Sequence, residues 1–228
     1  MQRVRVLGIV PARAGSKGCP GKNTRDFMGK PLVAWAIECS KRTCMRTMVT
    51  TDDPEVMRIA AEYGVDVVSR PTELAQDDTP MHDVLRHACA MDGCEDTDAV
   101  ALLQPTQPLR TDSHVKQAFW VMTLKGRSCD SVQSVVEMPP TLSPDYVWRL
   151  EGEYLFPFLP GKVTRRQDCR VSYYRDGTVY LVRPERVKSD DLWGRSVPLV
   201  IKASESCGID TEDDWARAEQ MWRLRHGV

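Results

Sequence analysis

No apolar stretch reaches the length of about 18 residues that a membrane-crossing helix needs, so no membrane span is expected. Met1 to Arg5 is polar and charged, and the apolar run after it is short and ends at Pro11, so no secretory signal is expected either. Histidine is scarce: four are scattered through the 228 residues, with none of the close His spacings that hold a metal. There is no Cys-x-x-Cys pair. The eight cysteines (Cys19, Cys39, Cys44, Cys89, Cys94, Cys129, Cys169 and Cys207) fall largely within helix and strand patterns as small apolar residues. They read as free thiols in a reducing cytoplasm rather than as a disulfide framework. Neither sign of charge prevails: 31 basic and 32 acidic residues leave a net charge of −1. That balance argues against a general binder of nucleic acid or membrane surface. With no internal repeat and no low-complexity linker, the chain suits a single α/β domain, spanning 1–228, with room for a small insertion.

What is present is an alternation of strand and helix patterns. Apolar runs at Val4–Val10, Thr47–Thr50, Val65–Val68, Ala99–Leu103 and Ser131–Val136 read as strands. Between them, Pro31–Ser40, Pro54–Tyr63, Met81–Ala90 and Ser113–Leu124 carry helical stripes. This order predicts a mostly parallel, twisted sheet with helices on both faces. Pro139, Pro140 and Pro144 then break the pattern, and Tyr146–Leu150 and Tyr154–Phe158 read as an aromatic hairpin about the Glu151-Gly152-Glu153 turn. Residues 138–176 are therefore expected to form a β-rich insertion. The core resumes at Thr178–Val182 and Leu199–Lys202, and a helix over Asp213–Leu224 closes it.

The loop after the first strand carries the chemistry. Val10-Pro11-Ala12-Arg13-Ala14-Gly15-Ser16-Lys17-Gly18-Cys19-Pro20-Gly21-Lys22-Asn23 holds three glycines, one arginine and two lysines, with no acid before Asp26. Glycines bring backbone amides close to a ligand, and clustered cations meet several negative charges at once. A loop leaving a buried strand is where α/β proteins hold phosphates, although a Gly/Lys loop by itself also suits a plain solvated turn. Two phosphate fingerprints are excluded. Ser16 and Asn23 break the Walker A pattern, and Gly15, Gly18 and Gly21 recur every three residues, unlike the dinucleotide spacing. The bidentate fork of Arg13 can grip two phosphate oxygens, while Lys17 and Lys22 act as point charges and read as exposed. Gln104 ends the fourth strand, at the edge where open α/β sheets bind ligands.

This loop resembles the N-terminal motif of the acylneuraminate cytidylyltransferases, which make CMP-sialic acid. Three further segments follow in that family's order: Leu102-Leu103-Gln104-Pro105-Thr106-Gln107-Pro108-Leu109-Arg110; Arg165-Arg166-Gln167-Asp168 with Tyr174 to Tyr180; and Gly208-Ile209-Asp210-Thr211-Glu212-Asp213-Asp214. The resemblance covers nearly the whole chain and implies a nucleotide-diphospho-sugar transferase-like fold that transfers CMP from CTP to a nonulosonic (sialic-type) acid. It implies Arg13, Lys17 and Lys22 as catalytic cations on the triphosphate. Ala12, Ala14, Gly15, Ser16, Asn23, Arg70, Thr79 and Gln104 are implied about the nucleotide. Gln104, Arg165, Arg166, Gln167 and Tyr174 are implied about the acceptor, whose carboxylate suits a guanidinium. Asp210 is implied as the ligand of Mg²⁺, and the insertion as an arm reaching a second subunit of a homodimer.

The sequence departs from the family twice. The sialic acid enzymes usually carry two aspartates flanking one residue, where this chain has Gly208-Ile209-Asp210. They often present a lysine in a His-Pro-x-Lys context, where this chain has Ser143-Pro144-Asp145. Three readings stay open: a sialic-type acceptor, the same transfer to an ulosonic acid or small phosphonate, and a nucleotide-binding protein without catalysis.

Overall fold

A computed structural model of the chain describes residues 4–94, 96–161 and 165–227. In chain order its elements are β1 (Val6–Pro11), β2 (Asp26–Phe27), β3 (Lys30–Pro31), α1 (Leu32–Thr43), β4 (Arg46–Thr51), α2 (Pro54–Glu62), β5 (Asp66–Ser69), α3 (Met81–Asp92), β6 (Ala99–Leu102), α4 (Asp112–Lys125), β7 (Ser131–Glu137), β8 (Trp148–Glu151), β9 (Tyr154–Pro157), β10 (Tyr173–Val182), α5 (Pro184–Val187), β11 (Ser196–Ile201) and α6 (Glu212–His226). Seven strands form one sheet in the order β11-β7-β10-β6-β1-β4-β5. All neighbouring pairs are parallel except those of β10, which runs antiparallel to both β6 and β7.

Alternation along the strands feeds two cores. Val6 and Val10 of β1 and Ala99 and Ala101 of β6 join the cluster under α1, α2 and α4. Leu7 and Ile9, with Val100 and Leu102, face the cluster beneath α3 and α5. Both faces of these strands are covered, which is why they read as near-continuous apolar runs. A third cluster, with Cys19, Phe27, Ile209 and Trp215, seats α6 against the loop after β1. Six of the eight cysteines are buried.

Side-chain caps fix the helix ends that matter for the site. Asp53 accepts bonds from the Glu55 and Val56 amides at the start of α2. At α6 the cap is Thr211, in a reciprocal box with Asp214. Asp214 also accepts from the Asp210 amide at 3.2 Å, so the cap anchors the residue before the helix.

The mostly parallel sheet matches the sequence reading, but the boundary between the insertion and the core sheet differs. β10 starts at Tyr173, not Thr178, and Tyr173–Arg175 pair with Glu137–Val135 of the main sheet. Hence 173–176 belong to the core sheet rather than to the insertion. A register shift between Arg175 and Tyr180 interrupts the strand around Gly177, and that break hid its first half from pattern reading. The β8–β9 hairpin forms as expected, with every position exposed.

From β1 the chain winds outward through β4 to β5, then returns by α3 to β6 on the opposite side of β1. The strand order reverses between β1 and β6, and their carboxyl ends open a crevice there.

Candidate active site

A cleft of about 450 Å³ lies at that reversal, lined by Pro11, Arg13, Ser16, Lys17, Gly18, Lys22, Asn23, Met81, Gln104, Pro105, Thr106 and Asp210. Backbone bonds set the loop after β1: the Ala12 amide donates to Thr50 O at 3.0 Å, and the Ala14 amide to Asp52 Oδ1 at 2.9 Å. The buried Asn23 donates from Nδ2 to Arg13 O at 3.0 Å and braces the turn from inside. Gly18 closes on the segment before α6. A Cβ at that position would stand 2.4 Å from the carbonyl oxygen of Asp210, so only glycine permits the approach.

The cations are partnered by carboxylates. Arg13 and Lys17 both pair with Asp77, one on each carboxylate oxygen. Hydrogen bonding from Lys17, with the charge of Arg13, lowers the Asp77 pKa below the ordinary carboxylate value. The sign of that shift keeps Asp77 ionised through the neutral range; the pairing is lost only as pH falls through the lowered pKa. Lys22 donates to Ile209 O at 2.7 Å and to Asp210 Oδ1 at 2.8 Å. The Lys22 side chain is only 12% exposed, whereas that of Asp210 is 81% exposed. Lys22 is thus a largely covered cation carrying an open carboxylate, not the exposed loop residue the sequence suggests.

Gln104 lies against Gly177 of β10, where a Cβ would come within 2.7 Å of its Oε1. Below it the buried Arg110 donates to Gln104 O at 2.5 Å and also to Thr178 O, tying the segment after β6 to the middle of β10. Burial pushes the Arg110 pKa down to about 10.

Of the residues singled out in the sequence, Arg13, Ser16, Lys17, Lys22, Asn23, Gln104 and Asp210 come together at the cleft. Ala12 is buried in the core beneath it, and Ala14 and Gly15 form the outer turn, where Arg13 Nη1 contacts their carbonyls at 3.2 and 3.3 Å. Arg70 is buried, its Nη2 donating to Thr50 O at 2.8 Å, and desolvation lowers its pKa. It supports β4 rather than lining the cleft. The Thr79 hydroxyl accepts from the Gln76 amide at 3.1 Å and leaves α3 uncapped. Arg165 pairs with Asp168 at 2.7 Å, and Arg166 stands 6.0 Å from the Tyr146 ring centre. Gln167 is exposed in the same turn, and Tyr174 is exposed on β10. None of these four lines the cleft of its own chain. Asp77, Thr106, Met81 and Gly18 were not assigned from the sequence. Thr106 lay within a recognised segment, but nothing in the pattern marked Asp77 as the partner of two loop cations.

Among the described residues no group of three or more His, Cys, Asp or Glu gathers to hold a metal. The donor set therefore does not suit a closed protein cage. Among the described residues Asp210 is the one carboxylate lining the cleft, and a single open carboxylate suits a hard cation that draws its other ligands from substrate phosphate and water.

Residues 7–147 match the family model described as cytidylyltransferase. The chain is 30% identical over 224 residues to an N-acylneuraminate cytidylyltransferase of Escherichia coli, covering 95% of this chain and 52% of that protein. It is 32% identical over 233 residues to a CMP-N,N'-diacetyllegionaminic acid synthase of Legionella pneumophila, covering 97% of each. It thus spans about half the length of the first relative and nearly all of the second. Among solved structures, a CMP:2-keto-3-deoxy-manno-octonic acid synthetase complexed with CTP superposes with a TM-score of 0.71 at 17% identity, over 97% of this chain and 99% of that one. A 4-diphosphocytidyl-2C-methyl-D-erythritol synthase from Anaerococcus prevotii gives 0.64 at 12% identity, over 96% and 99%. These two likenesses concern the fold.

Proposed function

This chain belongs to the cytidylyltransferase family, and we propose that it transfers CMP from CTP to a nonulosonic (sialic-type) acid with release of pyrophosphate. The observation that carries this reading is the convergence of Arg13, Lys17 and Lys22 with Gln104 and Asp210 at the reversal of strand order. An acceptor hydroxyl oxygen attacks the α-phosphorus and gives up its proton to solvent, and the bond from that phosphorus to the bridging oxygen of pyrophosphate breaks. Charge grows on the leaving group, and fixed cations aimed at it lower the barrier. Arg13 grips two phosphate oxygens, Lys17 screens the outer phosphates, and Lys22 serves the reacting end while it holds Asp210. Gln104 orients the substrates. Asp210 would hold a divalent cation, Mg²⁺ in this reading, whose chemistry is to neutralise phosphate oxygens. Incubation with CTP, Mg²⁺ and a panel of nonulosonic acids, ulosonic acids and small phosphonates tests the assignment. Pyrophosphate release with a nonulosonic acid is expected; release with another acid alone moves the acceptor, and CTP binding with no release from any acid contradicts the transfer.

A triphosphate entering this cleft must displace Asp77 from Arg13 and Lys17. Asp77→Asn is therefore expected to tighten CTP binding several-fold, with the gain shrinking as salt is raised. Calorimetric titration of both proteins checks this, and weaker binding by the variant would mean that Asp77 serves to orient Arg13.

The active form in this reading is a homodimer. Trp148, Leu150, Tyr154, Leu155, Phe156 and Phe158 are all exposed, and a two-stranded hairpin is marginal unless something covers it. Cover from a second copy would also carry Arg165, Arg166, Gln167 and Tyr174 toward a neighbouring cleft. Leu155→Glu is expected to shift the protein from dimer to monomer in sedimentation and to raise the acceptor KM more than the CTP KM. An unchanged sedimentation coefficient would count against the arm. The absence, among the described residues, of a helix long and apolar enough to cross a membrane is compatible with the cytoplasmic setting we assign.

A further inference from the structure

Beneath the cleft floor, Gln107 lies in the loop after β6 and is only 5% exposed. Its main chain is fixed at both ends: its amide donates to Gln104 O at 3.3 Å, and its carbonyl accepts from the Arg110 amide at 3.2 Å. Its side-chain Nε2 donates to Asp176 O in the interrupted part of β10. Its Oε1 is buried with no hydrogen-bond partner among the described residues. Two segments press on this amide where they have no side chain. A Cβ on Gly177 would lie 3.3 Å from Nε2, and a Cβ on Gly208 would lie 3.0 Å from it. Ordinary contacts are longer, and the amide is not free to swing while Nε2 is bonded to Asp176. The neighbouring segment is equally fixed. The Ile209 amide donates to Thr106 O at 2.9 Å, Ile209 is fully buried, and Lys22 holds both Ile209 O and the Asp210 carboxylate.

We propose that Gln107 is a positioning residue that closes position 208 to any side chain, and thereby limits the protein's share of the cation site to the single carboxylate of Asp210. The inference rests on the cation role given to Asp210 above. It accounts for Gly208 in steric terms: a side chain there would press the Gln107 amide, which must give way by a few tenths of an ångström against its bond to Asp176. Gln107 acts on the cation only through the segment it supports.

The test compares Gly208→Asp, Gln107→Ser and the double variant. Melting temperature reads the steric wedge, and divalent cation affinity in the presence of CTP, measured by calorimetry, reads the consequence. Gly208→Asp alone should melt roughly 4–8 °C below wild type with no gain in cation affinity. Relative to Gln107→Ser, the double variant should lose little in melting temperature and bind Mg²⁺ about tenfold more tightly, because carboxylate count tunes such sites. A Gly208→Asp protein that melts like wild type and binds the cation more tightly would overturn the proposal. So would a double variant that melts as far below Gln107→Ser as the single falls below wild type. Should Gly208→Asp fail to fold, Gly208→Ala in the wild-type and Gln107→Ser backgrounds gives the same coupling by melting. If wild type binds no CTP–Mg²⁺ complex, the assignment of Asp210 falls, while the melting comparison still decides whether Gln107 forms the wedge.

Discussion

Lys22→Ala is expected to lower the rate of pyrophosphate release by about 10²–10³-fold, the usual cost of removing one fixed donor aimed at charge that develops in the transition state. The loss should fall mainly on kcat, since Arg13 and Lys17 remain to bind ground-state phosphate. Stability should change modestly. The variant loses a hydrogen bond to Ile209 O and an ion pair whose acidic member is open to solvent, together about 1–2 kcal/mol. That corresponds to a fall in melting temperature of roughly 2–8 °C for a chain of this size. Steady-state kinetics and thermal melting measured on one preparation separate the two effects. Wild-type turnover would remove Lys22 from the phosphate site, and collapse of the fold would make its role structural.

Gly18→Ala should be nearly as damaging, for a different reason. Gly15 and Gly21 have positive φ, with open space where a side chain would stand. Replacing either strains the backbone by about 1–2 kcal/mol but brings no clash. Gly18 does not have a positive φ, yet its Cβ would meet the Asp210 carbonyl at 2.4 Å. That neighbour is backbone, fixed by the Thr211 cap of α6, so the loop itself must retreat. Separating Lys17 and Lys22 from Asp210 by even about 1 Å is expected to cost on the order of 10²-fold in kcat/KM. The comparison with Gly21→Ala makes the point measurable. Gly21→Ala should lose stability and keep most activity, whereas Gly18→Ala should lose both.

The parts of this protein that can be read from its sequence are those set by local chemistry. Alternation in β1 and β6 reports two covered faces, and the loop from Arg13 to Asn23 advertises cations without acids. Gln104 is legible because a strand end is a place as well as a pattern. What stays hidden is decided by contacts distant in the chain. Asp77 sits 64 residues from Arg13, and no spacing rule links them. Lys22 looks like a surface lysine until α6 and the segment before it fold across the loop. The first half of β10 is masked because its pairing breaks near Gly177, and its reversed direction follows from which neighbours it joins. Gln107 reads as one polar residue among several, and its weight comes from two glycines that belong to other segments. Arg165 and Arg166 illustrate the opposite limit: their motif is legible, but within one chain they stand away from the cleft, and their proposed role depends on a second copy.

The central claim is that Arg13, Lys17 and Lys22 converge on the triphosphate of the donor nucleotide. A crystal structure of the protein with CTP and Mg²⁺ tests it most directly. Phosphate oxygens are expected within hydrogen-bonding distance of all three side chains, with Asp77 released from Arg13 and Lys17. Nucleotide bound elsewhere, or bound in the cleft while Asp77 still holds both cations, would contradict it.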